Sequence, residues 1–445
     1  MEEAIRRAYN QCKVDEALDW GDKRYVDLNG LGVRGTDHSC TEFLFHSVEM
    51  SDRATHQLFS GFRGCGKTTE LKHLARRFSE AGYNVIYVDA DAYLNLRVPT
   101  NISDILVTVC AGVDSFLEDG AGDKERPMRR FWDRLHAFLN NEVKAEELTL
   151  GAAGVNLKLS FKDNVDFKTK LYQAVQARIP ELAHECQAFL DESLGVLAEL
   201  HPDNQGTVLI LDSFEKLRGD LGTAAAVRAS IEEVFIQNWK YLQTPFHAIY
   251  TVPPWMAFME AGTAAEFGQF HMLPMCKVYD RGHNQDEKGV DALLELLDKR
   301  FVLDDVFASR APIVELILAS GGYPRDLLRM VREVLLRAGM EERPVPIQED
   351  QLQGIVDLVI AGLSEQFEAA LDDSDTEALA AVAEKHSLAE WGRDNLQRLA
   401  DLFDHHFVLS YRNGKTWYDV HPLLLLSRTG KLPKAIEKRR EQQKD

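Results

Sequence analysis

The residues with the plainest chemistry are Gly61-Phe62-Arg63-Gly64-Cys65-Gly66-Lys67-Thr68, a G-x-x-x-x-G-K-[ST] run. The spacing suits a loop that wraps a polyphosphate. Glycines let successive backbone N–H groups turn toward one anion, and a helix opening at Lys67 aims its positive end at the same charge. The Lys67 ammonium then reaches the β- and γ-phosphates, and the Thr68 hydroxyl takes a Mg²⁺ ion. The backbone of Phe62, Arg63 and Cys65 and the neighbouring Thr69 complete the expected cradle, so ATP with Mg²⁺ is the implied ligand.

Such a loop needs a second acid for the metal. Asp212, which closes Val208-Leu209-Ile210-Leu211, is the candidate, with a strand-end turn aspartate as the plain alternative. Glu215, three residues on, either polarises an attacking water or pairs with Lys216 or Arg218. Thr251 ends another apolar run. Its hydroxyl either senses the γ-phosphate or belongs to an ordinary β-branched strand residue. Ser320-Gly321-Gly322-Tyr323-Pro324-Arg325 precedes a helical stripe of Leu327, Leu328, Val331, Val334 and Leu335. Pro324 fits a first helical turn. Arg325 would stand where the helix dipole repels a cation, so it is either the partner of an anion such as a γ-phosphate or a solvated arginine.

The elements that must position these residues read as α/β. His56–Ser60, Asn84–Asp89, Thr207–Asp212 and His247–Val252 are runs of buried-strand length, and His271–Tyr279 is a fifth candidate. A helix is expected from Lys67 to about Glu80, giving a βαβ unit. Between about 99 and 200 two long apolar-periodic helical segments flank a small strand or hairpin at Leu148–Phe161, and Pro180 is expected to kink or break the second. Helices are expected from about Gly289 to Gly339. A linker at Glu341–Pro346 leads to helices near 348–372, 375–386 and 393–404 and a hairpin about Arg412-Asn413-Gly414-Lys415. Three helices and a hairpin are the composition of a winged helix. The expected domains are 1–284 for the nucleotide-binding part, 285–343 for a helical lid, 344–430 for the winged helix and 431–445 for a charged, frayed tail.

Composition narrows the setting. The 445 residues are 45% hydrophobic and 27% charged, as in folded globular domains. The charged N-terminus lacks the apolar core of a signal peptide, and no apolar run reaches the ~18 residues of a membrane span. The six cysteines are scattered, without CxxC spacing. A cytoplasmic protein with no membrane partner is therefore expected. A net charge of −20 argues against nucleic-acid binding over the whole surface. Residues 346–430 hold fifteen acids against six bases, the opposite of a duplex-binding stripe, although Arg412 and Lys415 stand at the expected wing tip.

Lys67-Thr68, Asp212, Thr251 and Gly322-x-Pro324-Arg325, in that order, resemble the AAA+ and STAND ATPases, especially the origin-recognition-like and NACHT-like branches. The resemblance covers roughly 30–425 and implies a P-loop NTPase sheet of order 5-1-4-3-2, a helical lid and a winged helix. It also implies a sensor-2 role for Arg325 and an adenine-contacting leader, to which Val33-Arg34-Gly35 is a loose match. Two departures stand out. Ser213 occupies the place of the usual AAA+ catalytic glutamate, and Trp255–Phe270 holds no arginine finger, with Arg281 and Arg300 as unselected substitutes. The implied function is a slowly hydrolysing ATP-dependent switch that controls a protein partner or self-assembly as a homo-oligomer, in signalling or antiviral defence by analogy. The alternatives are an AAA+ ATPase that assembles on DNA and a scaffold that holds nucleotide without hydrolysis.

Overall fold

The computed structural model describes residues 3–35, 38–121, 131, 178–219, 222–259, 269–388, 395–426 and 430–442. The expected strand or hairpin at 148–161 lies outside them. In chain order the elements are α1 (Glu3–Gln11), α2 (Cys40–Glu49), β1 (His56–Gly61), α3 (Lys67–Glu80), β2 (Tyr83–Asp89), α4 (Ile102–Ala121), α5 (Ile179–Leu200), β3 (Gly206–Asp212), α6 (Ala224–Glu232), β4 (His247–Val252) and β5 (Gln269–Leu273). There follow α7 (Glu287–Asp298), α8 (Leu303–Val306), α9 (Ala311–Ala319), α10 (Pro324–Met340), α11 (Glu349–Ala369), α12 (Asp373–Lys385), α13 (Leu396–Asp404), β6 (Val408–Asn413), β7 (Lys415–Val420) and α14 (Lys431–Gln442). They sort into two compact units, one of residues 1–40, 61–69 and 273–445, the other of 41–60 and 70–272. This partition takes the loop 61–69 out of the sheet-bearing unit.

The second unit is built on the sheet β2-β3-β4-β1-β5, which is the order 5-1-4-3-2 read from its other edge. β1 to β4 pair in parallel, with Leu58 beside Tyr250, Leu209 beside Ala248 and Val88 beside Leu211. β3 and β4 are interior strands, and Val208, Leu209, Ile210 and Leu211 lose all contact with solvent, which explains their unbroken apolar run. β2 is an edge strand and alternates buried with half-buried residues. β5 ends at Leu273, well short of the Tyr279 expected, because the backbone of Met275, Cys276 and Lys277 bonds to Ser410, Gly322 and Val33 instead of to a strand. α2 and α3 meet through Phe45 and Phe78, whose rings stack 5.0 Å apart. Pro180 lies at the first turn of α5 and starts the helix where a kink was expected, since a missing N–H costs nothing there.

The first unit is helical at its centre. The stripe Leu327, Leu328, Val331, Val334 and Leu335 of α10 is buried together with Leu293 of α7, Leu316 of α9 and Leu352 of α11. α1 joins this core through Ile5 and Ala8, and Arg332 lies 4.1 Å from the centre of the Tyr9 ring. The β6–β7 hairpin is tighter than the Asn-Gly signal suggests. Arg412 pairs with Thr416 and Asn413 with Lys415, so Gly414 alone remains between paired residues, at φ +71°. The expected frayed tail is the docked helix α14, which buries Leu432 and Ile436 and pairs Arg439 with Glu384 at 3.1 Å. No helix among the described residues is long and apolar enough to cross a membrane. The six cysteines are all buried, and none forms a disulfide.

Candidate functional site

The site residues fall into two clusters, one in each unit. In the first, the loop 61–69 runs into α3, and Gly64 and Gly66 adopt φ of +91° and +103°, which only glycine holds without strain. The Lys67 ammonium is buried and donates to the carbonyls of Gly61 and Phe62 at 2.8 and 2.9 Å. Thr68 opens α3 half-buried, and the Thr69 hydroxyl accepts the N–H of Leu18 at 3.1 Å. Arg34 is buried and donates to the Cys65 carbonyl at 2.5 Å. The segment before α2 therefore lies along the loop, and Arg34 reaches it by its side chain.

The turn that opens α10 belongs to the same cluster. Gly321 and Gly322 take φ of +61° and +74°, and Pro324 is the first residue of the helix. A Cβ on Gly322 would stand 1.8 Å from the Cys276 carbonyl oxygen, so the close approach requires glycine. This geometry lays Arg325 across the loop. A Cβ on Gly64 would come within 2.5 Å of its Nε and 2.9 Å of its own Cβ. The guanidinium is held by Asp15, Nη2 to Oδ1 at 2.7 Å, although the Asp15 side chain is 75% exposed. Tyr323 is fully buried, and its hydroxyl donates to the Arg63 carbonyl. Burial first, then the Asp326 charge, pushes that phenol well above its ordinary range, so it stays a donor.

Residues after 395 close on the same turn. The ring of Phe62 meets Phe403 edge-on at 5.2 Å, and His406 lies over Tyr323 at 5.0 Å. The Tyr411 hydroxyl donates to the Gly321 carbonyl at 2.7 Å. A side chain at Gly321 would strike Leu409 and Pro422, each 2.8 Å from the Cβ position.

The second cluster lies at the carboxyl ends of β2, β3 and β4. Asp212 is 1% exposed; its Oδ2 accepts the Tyr87 hydroxyl at 2.6 Å and its Oδ1 the Ser213 N–H at 2.7 Å. Ser213 turns the chain at φ +79°, a strained conformation outside glycine worth about 1–3 kcal/mol. The turn leads Phe214 into the core and sets Glu215 on a short 3-10 turn, Phe214–Lys216. Thr251 holds this turn: its Oγ1 accepts the Phe214 N–H at 3.0 Å and donates to the Leu211 carbonyl at 3.4 Å. The Thr251 hydroxyl is thus engaged with the backbone of β3. Lys216 faces Asp91, Nζ to Oδ2 at 3.5 Å, rather than Glu215. Burial and the charges of Asp212, Asp89 and Glu215 raise the Tyr87 phenol far beyond its ordinary range, so a neutral donor faces the acids.

Sequence reasoning passed over Tyr87, Asp15, Tyr323, Phe403 and Tyr411. Tyr323 stood inside the quoted Gly-Gly-Tyr-Pro-Arg turn, which was signal enough. Tyr87 reaches Asp212 only through the parallel register of β2 and β3, which no local spacing reveals.

No family model matches the sequence, and no curated protein matches it. Among solved structures the chain is similar to the ORC2 protein of Aeropyrum pernix in its ADPNP–ADP complexes, with 14% identity over 97% of both chains and a TM-score of 0.40. It is also similar to the Drosophila ORC bound to DNA, with 11% identity over 98% of this chain and 92% of that one and a TM-score of 0.39. For Cdc6p of Pyrobaculum aerophilum the identity is 12% over 97% and 98%, with a TM-score of 0.33. At these scores the likeness adds nothing to what the strand order and the loop motif already give.

Proposed function

We propose that this protein is an ATP-binding, slowly hydrolysing switch of AAA+/STAND type, in which nucleotide state sets the position of the helices and hairpin after 344. The observation that carries the reading is the seat of Arg325 and Tyr323 on the phosphate loop, at Gly64 and Arg63. The loop suits a polyphosphate: its left-handed glycines bring backbone without side chains to the N-terminus of a fourteen-residue helix. In this reading Lys67 exchanges its two loop carbonyls for phosphate oxygens, and Arg325 exchanges Asp15 for the γ-phosphate. Thr68 offers a hydroxyl to Mg²⁺, Asp212 is the carboxylate proposed to serve that ion, and Glu215 is the proposed base toward water. When bound, the ion would offset phosphate charge. Thr251 acts by fixing the turn that carries Glu215.

The helices α11 to α13 with β6–β7 are read as a winged helix that serves as a clamp and protein-contact module, in keeping with its acidic balance. The protein is expected to work on a partner chain or on further copies of itself, and in the cytoplasm. Two of the similar solved structures contain DNA, the Drosophila ORC and ORC1 of Aeropyrum pernix. Assembly on DNA, the alternative that the ordered motifs imply, is the second reading. Phosphate release and ATP-dependent mass, measured with and without duplex DNA, separate the two. Turnover lost in Lys67→Ala, with no salt-sensitive DNA binding, supports the switch. ATP-dependent DNA binding that weakens steeply with salt replaces it with the second reading. Absence of nucleotide binding overturns both.

A further inference from the structure

We propose that His283, His386 and Asp419 form a binding site for one divalent transition-metal ion of the zinc class. One ligand atom from each residue lies within 4.8 Å of the other two. Asp419 Oδ2 is 3.3 Å from His283 Nε2 and 3.5 Å from His386 Nδ1. Ligand atoms bound tetrahedrally at about 2.0–2.2 Å stand roughly 3.3–3.6 Å apart, so two edges of the polyhedron already have their proper length. Two imidazoles and one carboxylate favour zinc, cobalt or nickel over magnesium or calcium, which take oxygen.

The surrounding shell aims the donors. Asp419 is buried in β7, and its Oδ1 accepts the N–H of Val420 at 2.8 Å, which leaves Oδ2 toward both rings. His386 caps α12; its N–H bonds Val382 and its carbonyl accepts Tyr418 N–H at 3.1 Å. Its Nδ1 is buried and makes no hydrogen bond. Trp417 meets the His386 ring edge-on at 5.6 Å and screens that side from water. His283 sits in a turn pinned by Asp280, whose Oδ1 accepts Gly282 N–H at 2.8 Å and Asn284 N–H at 2.9 Å. With a side chain 45% exposed, His283 leaves the fourth position open to water. A cation, Arg281, stands beside these groups, with its guanidinium 5.8 Å over the Trp417 ring.

His283 and His386 both occupy left-handed positions, φ +59° and +49°. An ion here would tie the turn 280–284 to the end of α12 and to β7, and so fix the hairpin that packs on Gly321.

The test uses the full chain, stripped with chelator and titrated with Co²⁺ alone, then with Zn²⁺ as competitor. The expected result is one equivalent per chain, with a ligand-field spectrum free of thiolate charge transfer and displaced by Zn²⁺, and with a rise in Tm. His283→Ala, at an exposed turn, and Asp419→Asn should each weaken binding at least tenfold with unchanged far-ultraviolet circular dichroism. His46→Ala, a surface histidine elsewhere, should leave it intact. Stoichiometry well below one, a thiolate spectrum, or binding that survives both substitutions overturns the proposal and leaves a histidine–aspartate ion-pair cluster.

Discussion

Replacing Arg325 by alanine separates a structural role from a nucleotide-binding one. Its ion partner among the described residues, Asp15, has a side chain 75% exposed. Such a pair contributes about 0–1 kcal/mol. Adding the lost packing of the arginine stem on Gly64, nucleotide-free stability should fall by no more than about 1–2 kcal/mol. A guanidinium bound to a γ-phosphate contributes about 1.5–3 kcal/mol, which is about 10- to 150-fold in affinity. Calorimetric titration should then show ATP weakened by that factor in Arg325→Ala and ADP changed by less than about threefold, since only ATP carries the third phosphate. Asp15→Asn removes the same ion pair and keeps the guanidinium, so it should retain ATP affinity. Equal weakening of ATP and ADP, or an Asp15→Asn variant that matches Arg325→Ala, would refute the assignment.

Two further outcomes follow from the geometry. Gly322→Ala puts a Cβ 1.8 Å from the Cys276 carbonyl at φ +74°, and denaturant unfolding should show a loss of about 3–5 kcal/mol. Gly414→Ala has a similar φ of +71° but meets open space, so it should lose only about 1–2 kcal/mol, and equal losses would count against the packing argument. Burial holds His56 and His247 below the ordinary value of 6.5. His247 Nδ1 accepts the N–H of Thr55 at 3.1 Å and so must stay unprotonated. The unfolded chain takes up protons at these sites first, so their contribution is complete above about pH 6.5 and is lost as pH falls below it. The unfolding midpoint should drop from about pH 7.5 to about pH 5.5, and His247→Asn should flatten that slope, while an unchanged slope removes His247 from the account.

The sheet was legible because its interior strands β3 and β4 are buried on both faces. The run at 208–211 has no polar residue, the run at 247–252 keeps Ala248, Ile249, Tyr250 and Val252 apolar around His247 and Thr251, and the glycine-rich motif marks which strand precedes the loop 61–69. Where a backbone chooses distant partners, sequence patterns fail. Met275 and Cys276 have the apolar character of strand residues, yet they bond to Ser410 and Gly322 and end β5 early. The tail after Lys431 reads as solvated by composition, but Leu432 and Ile436 are enough to dock one helix face. The Gly-Gly-Tyr-Pro-Arg turn exposed Arg325 through its helix-start position, whereas Asp15 and Tyr87 reach their partners through folds of the chain 310 and 125 residues apart.

Backbone carbonyls link the loop 61–69 to the turn that opens α10, and that turn to β6. Tyr323 and Tyr411 donate to main-chain carbonyls, of Arg63 and Gly321, so the bonds record where the backbone is and not which side chains it bears. Both phenols are buried, which makes each bond costly to break without a replacement acceptor. Phe62 and Phe403 add an apolar contact that has no partial state: the rings touch or they part. A displacement of the loop at Arg63 is therefore not absorbed locally. It either carries Tyr323, and with it the start of α10, or it severs the bond outright. Because Gly321 is held on its other side by Tyr411, Leu409 and Pro422, moving the start of α10 moves the hairpin as well. In the proposed switch, nucleotide would act through this series of contacts and shift the population of hairpin positions.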